Sequence, residues 1–208
     1  MYYIVLTYYI KCIIMYLERV VYMEIVEPIR SKEKIEEMKI ELKKSGTRDY
    51  LLFLVGINTG LRASDLVKLQ VKDILNQDRT PRKHINITEK KTKKLKKFPI
   101  NGDILPELLE YCRGLDLNDY LFSSRKGDNK PITTTQCYRI IREAGERIGL
   151  TNLGSHTCRK TFGYHFYRKT KDVALLQTLF NHSAPSITLR YIGISQDNID
   201  EAYNNFSL

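Results

Sequence analysis

The sequence predicts an α+β fold, mostly α, with a small three-stranded antiparallel sheet carried on a helical domain. Three observations lead there. Apolar residues recur at helical spacing through most of the chain, and capping residues or glycines bound each run. From Val71 to Ile100 the pattern changes to short, partly alternating, β-prone segments separated by polar turns. With 208 residues, 42% hydrophobic and 28% charged, the chain has the composition of one globular domain plus a small appendage.

Residues 1–22 are apolar and rich in Tyr, Ile and Val, but they lack the basic start of a signal peptide. As a membrane span they are poor. Lys11 falls mid-run, at a cost of roughly 2.5–3.5 kcal/mol at a bilayer centre, and Glu18 and Arg19 close the run early. The expectation is an upstream extension, with the working protein starting at Met23 and no membrane partner. Residues 1–30 form this extension and residues 31–208 the domain.

Ser31 is placed to cap a first helix through Ile35, Met38, Ile40 and Leu42, which Gly46 stops. Thr47 opens a second, apolar on all sides over Leu51–Val55 and therefore buried. Gly60 ends it, and Arg62 occupies the turn before a short helix from about Ser64 to Leu69. The three strands are Val71–Leu75, His84–Thr88 and Lys96–Ile100. A helix over Asn101–Arg113 follows, then a loop over Leu115–Pro131, then an amphipathic helix over Thr133–Gly149. Asp172 to Phe180 reads as a buried helix, with Asn181 at the left-handed exit and Pro185 in the first turn of the next. At the C-terminus, Ser195 caps a short helix whose Ile199, Ala202, Tyr203 and Phe206 make one apolar stripe.

The net charge is +10, and residues 1–30 contribute none of it, because Lys11, Arg19 and Arg30 balance Glu18, Glu24 and Glu27. The excess belongs to the domain and predicts a polyanionic partner, nucleic acid first. Between Arg82 and Lys97, eight of sixteen residues are basic and only Glu89 is acidic. Such a run resists edge pairing of the sheet and also suits a DNA-facing hairpin. Arg82, Lys83, Lys90, Lys93, Lys94, Lys96 and Lys97 are the candidate contacts, joined by Lys160. The cysteines Cys12, Cys112, Cys137 and Cys158 form no metal-binding pattern and read as reduced thiols of a cytoplasmic protein. No cofactor is expected.

The stretch from Gly154 to Tyr191 carries the chemistry. His156 and Arg159 are three residues apart, His182 follows the buried helix, and Tyr191 lies nine residues beyond it. These four converge if the helices form as predicted. The set has no carboxylate and no plausible metal cluster, but it suits an anionic phosphate and a tyrosine nucleophile.

With Thr59–Leu66 (TGLRASDL) and Lys90–Ile100 (KKTKKLKKFPI), the chain resembles the tyrosine recombinases, also called the phage-integrase family. The matching boxes are Arg62 with Asp65, Lys91 eight residues before Pro99, His156 with Arg159, His182, and Tyr191. The five boxes stand in order, and the resemblance covers roughly Ser31 to Leu208. The departures are Asn181, where the family usually has Gly, and the short stretch ahead of the domain, where most members carry a further DNA-binding domain. The resemblance implies a recombinase catalytic domain acting on double-stranded DNA. Tyr191 would attack a phosphodiester, leaving a covalent phosphotyrosine and a free 5′-hydroxyl, with no need for ATP or metal. Arg62 and Arg159 would clamp the phosphate, His156 would accept the tyrosine proton, and His182 would bond the phosphate. Lys91 would protonate the leaving oxygen, and Asp65 would orient Arg62 or the lysine strand. It also implies a homo-oligomer, a tetramer on DNA, joined through the C-terminal segment, with an accessory or full-length recombinase as a further partner. Two rivals stay open: a catalytically idle DNA-binding remnant, and relaxation of supercoils in the manner of type IB topoisomerases.

Overall fold

A computed structural model describes residues 26–89, 95–194, 197, 203–204 and 206. The extension call over residues 1–22, Lys90, Lys91, Lys93 and Lys94, and Ile199 and Ala202 of the C-terminal stripe lie outside these residues.

The described chain runs α1 (Lys32–Ser45), α2 (Thr47–Thr59), α3 (Ala63–Leu66), α4 (Val71–Ile74), β1 (His84–Thr88), β2 (Leu95–Pro99), α5 (Leu105–Cys112), α6 (Thr134–Arg147), α7 (Thr157–Thr170), α8 (Val173–Phe180) and α9 (Pro185–Tyr191). Ser31 caps α1 as expected, its hydroxyl accepting from the Lys34 amide at 3.0 Å. Thr133 caps α6 and Asp172 caps α8 in the same way. Helix α2 is buried along Tyr50–Val55 and forms the centre of the main core with Met38, Leu42, Leu108 and Ile141.

The sheet departs from expectation. Among the described residues it has two strands, β1 and β2, paired antiparallel with His84 opposite Pro99 and Thr88 opposite Leu95. The expected third strand, Val71–Leu75, is instead α4 followed by a single bridge from Leu75 to Pro81. Local chemistry explains the difference. The Asp73 carboxylate reaches back to accept from the Gln70 amide at 2.8 Å, as an acid at the third helical position does. Val71 and Ile74, three apart, then share one buried helical face. Helix α5 also starts later than expected, at Leu105, with Pro106 in its first turn.

A second, smaller core gathers Leu176, Phe180, Ile192 and Ile194, with Phe162 and Tyr191 packed against it. Helix α7 lies between the two cores, with Cys158 toward the first and Phe162 toward the second. Two glycines permit the approach. Gly60 has φ +61 and supports the Phe162 ring, which a Cβ there would meet at 2.4 Å. Gly163 lies under Ile192 and Phe180, which a Cβ would meet at 2.7 and 2.8 Å. Alanine is the better helix former by about 1 kcal/mol, yet overpacking of this kind costs about 1–3 kcal/mol. G163A should therefore lower the unfolding free energy in urea titrations despite its helix propensity. A G163A protein as stable as wild type would show that α9 is not held against α7 as described.

Candidate active site

Arg159 stands in the first turn of α7 and is 3% exposed. Its guanidinium donates to the carbonyl of Gly60 at 2.6 Å and to that of Phe180 at 3.0 Å. It also lies 4.1 Å from the centroid of the Phe180 ring. Burial pulls its pKa below the ordinary guanidinium value, and an arginine remains charged regardless.

His156 caps α7 from the exposed side, and its Nδ1 is 2.9 Å from the Tyr191 hydroxyl. Tyr191 is the last residue of α9 and half-buried. Its ring meets His182, Phe180 and His156 edge-on, at centroid distances of 5.2, 5.6 and 6.0 Å. Burial pushes the Tyr191 hydroxyl up to about 12, opposed by the charges of Arg159 and Arg62. The tyrosine is thus protonated at neutral pH and lies within hydrogen-bond distance of the His156 imidazole.

His182 follows Asn181, whose φ of 55° and ψ of 44° are the left-handed exit of α8. Its Nδ1 is 3.0 Å from the hydroxyl of buried Thr188. Desolvation lowers its pKa, and Arg159, Arg62 and Lys96 lower it further, so it is neutral at pH 7. The imidazole carries one N–H, and Thr188 partners one of its two nitrogens.

Arg62 begins α3 with extended backbone and 18% of its side chain exposed. Its Nη1 lies 2.5 Å from Oε1 of Glu89, an ion pair in distance without hydrogen-bond alignment. Asp65 is buried one turn on, and its charge reaches Arg159. Arg62, Asp65, His156, Arg159, His182 and Tyr191 are therefore gathered in one place. Lys91 is the expected member outside the described residues.

The lysines expected to meet DNA divide. Lys83 and Lys97 are exposed. Arg82 is half-buried and donates to the Leu75 carbonyl at 3.1 Å. Lys160 donates to the Val26 carbonyl at 2.6 Å, and its ammonium is 5.2 Å from the Tyr191 ring centroid. Lys96 faces the site: its ammonium is 3.0 Å from Glu89 and bonds the carbonyl of Leu179. Desolvation lowers its pKa, and Glu89 partly restores it. Sequence reasoning passed over Glu89, Asn181 and Thr188 as members of this centre. Glu89 had a signal, since it is the lone acid in the basic run.

Among the described residues no group of three or more His, Cys, Asp or Glu is placed to hold a metal ion. None of their helices is long and apolar enough to cross a membrane.

Comparison with known proteins agrees with this fold. A family profile described as the phage integrase family matches residues 30–197. The probable integrase/recombinase YoeC of Bacillus subtilis is 52% identical over 184 residues, which is 88% of this chain and 98% of that protein. The tyrosine recombinase XerA of Pyrococcus furiosus is 27% identical over 86% of this chain, but the match spans only 61% of XerA. Among solved structures, the XerA recombinase superposes with a TM-score of 0.67 at 23% identity, covering 86% of this chain and 65% of that one. The XerH recombinase in a post-cleavage complex with difH substrate gives 0.65 at 20% identity, covering 87% and 53%. By the profile match over residues 30–197 and the YoeC likeness, the chain belongs to the phage integrase family.

Proposed function

We propose that this chain is a site-specific DNA recombinase that cleaves and rejoins double-stranded DNA through a covalent 3′-phosphotyrosine on Tyr191. The observation that carries the reading is the 2.9 Å contact between His156 Nδ1 and the Tyr191 hydroxyl, set beside two arginines. A hydroxyl with a pKa of about 12 is a weak nucleophile until its proton has somewhere to go. His156 is in reach to take it. The tyrosine oxygen then bonds to phosphorus, and the 5′-oxygen leaves with the electron pair of the broken bond. Charge growing on the non-bridging oxygens is met by Arg62 and Arg159, whose donors are fixed before DNA arrives. By the family resemblance Lys91 protonates the 5′-oxygen. Reversal with a 5′-hydroxyl from a partner strand completes the exchange with the bond count unchanged, so neither ATP nor a metal ion enters the balance. The formed tyrosine–histidine contact favours this reading over an idle DNA-binding remnant.

The partners follow. The relatives include recombinases solved on DNA as a dimer and as a tetramer. We extend this to a tetramer on DNA joined through the C-terminal segment, with the protein working in the cytoplasm. Exposed Tyr203 and Phe206 belong to that segment, and an apolar groove of about 690 Å³ between β2, α7 and α8 offers a surface for it.

Y191F should abolish the SDS-resistant protein–DNA adduct on a nicked substrate and leave DNA affinity near wild type, since one hydroxyl is lost. An adduct persisting in Y191F contradicts the assignment. EDTA should leave the rate of adduct formation unchanged, and a requirement for Mg²⁺ in that step would count against the mechanism. Binding should weaken by roughly 10³–10⁵-fold between about 50 and 200 mM salt if six to ten phosphates are contacted. An affinity flat with salt would remove nucleic acid as the partner.

A further inference from the structure

One carboxylate interrupts the basic run from Arg82 to Lys97, and the reaction above makes no use of it. On a DNA-facing hairpin an exposed acid would repel phosphates. Glu89 is 0% exposed. Strand periodicity puts it inside: Ile85, Ile87 and Glu89 alternate onto one face, and Lys96 stands opposite Ile87 on the same face. Oε1 of Glu89 lies 2.5 Å from Arg62 Nη1 and 3.0 Å from Lys96 Nζ. Oε2 accepts from Asn181 Nδ2 at 3.2 Å. Asn181 immediately precedes His182. One buried carboxylate therefore touches the turn before α3, strand β2 and the turn after α8.

A buried acid among cations has two roles open to it. It can occupy the phosphate's place until DNA arrives, or it can lie beneath the cations and fix them. Exposure decides between these. The Glu89 side chain is 1% exposed, while those of Arg62 and Lys96 each keep 18%. The cations are the solvent-facing partners, so a phosphate can reach them without displacing the carboxylate. Among the described residues, Arg62, Arg159 and Lys96 are grouped with the carboxylates of Glu89 and Asp65. Without Glu89, Arg62 and Lys96 would face each other without the carboxylate that lies between them.

We propose that Glu89 is a positioning residue for DNA cleavage: from beneath, it fixes the Arg62 guanidinium, the Lys96 ammonium and the Asn181–His182 turn where the scissile phosphate is received. The inference rests on Tyr191 being the nucleophile. Glu89 touches no substrate and acts through the groups it holds.

The test is a double-mutant cycle on the full chain. Single-turnover adduct formation is measured at saturating nicked DNA for E89Q, K96M and the E89Q/K96M pair, with DNA affinity and thermal melting alongside. E89Q keeps the shape and the Asn181 contact but removes the charge. Its rate should fall about 10- to 100-fold, as for a small displacement of a catalytic group, with affinity within about threefold of wild type, because phosphate contacts elsewhere hold the duplex. The double variant should lose no more than the worse single, because both act on one cluster. E89D, charged but one methylene short, should fall between E89Q and wild type. The proposal is overturned if E89Q cleaves within about threefold of wild type, or if the double loss is the product of the singles, as independent sites would give. Should E89Q fail to fold, the cycle is run with E89D, and coupling to K96M decides: a double loss equal to the product of the singles overturns the proposal. A wild-type chain that forms no adduct overturns the nucleophile reading itself, which is a different result from a wild-type-like E89Q.

Discussion

The hydrogen bonds of one buried guanidinium hold this domain's working parts together. Arg159 donates to the last carbonyls of two helices, at Gly60 beyond α2 and at Phe180 closing α8. Both are helix C-terminal ends, where unsatisfied carbonyls and the helix dipole favour a cation. Hydrogen bonds to a charged group are worth about 1.5–3 kcal/mol each, so the two together outweigh most single contacts in a domain of this size. They also tie the main core, built around α2, to the satellite core under Phe180 and Ile192. The same side chain thus joins the two cores and presents a preorganised positive charge to Tyr191.

That arrangement sets the state of Tyr191, the proposed nucleophile. Burial raises the Tyr191 hydroxyl to about 12, and the neighbouring arginines oppose the rise without cancelling it. A phosphate bound to those arginines would draw on the same charge. The tyrosine is therefore held protonated in the free protein, and its proton has a short path to His156. His182 is kept neutral by desolvation and the surrounding cations. A domain with +10 net charge can attract DNA strongly, while the Tyr191 hydroxyl stays protonated beside His156 until a phosphate binds.

Much of this was legible in the sequence. Capping residues, glycine stops and helical periodicity predicted α1, α2, α6, α8 and α9, because those signals are local. The spacings from His156 to Arg159 and from His182 to Tyr191 predicted the convergence, since each spans one turn or one short helix. Val71–Leu75 was misread because Val71, Ile74 and Leu75 around Lys72 and Asp73 fit a strand until Asp73 bonds back to Gln70. Lys96 was assigned to the DNA surface on composition alone, although strand alternation turns Lys97 outward and Lys96 inward. Glu89 stood out as the lone acid in the basic run, but its partner Arg62 is 27 residues away and Asn181's partner Glu89 is 92 away, so neither pairing is written in a local pattern.

Peptide mapping of the trapped adduct tests the central claim most directly. After reaction with a nicked duplex and nuclease trimming, trypsin cleavage behind Arg190 releases a peptide that begins at Tyr191 and also contains Tyr203. Fragmentation spectra distinguish the two tyrosines. The account predicts a nucleotide bonded through its 3′-phosphate to Tyr191, at the N-terminal residue of that peptide. A modification on Tyr203, on a peptide elsewhere in the chain, or through a 5′-phosphate would contradict it.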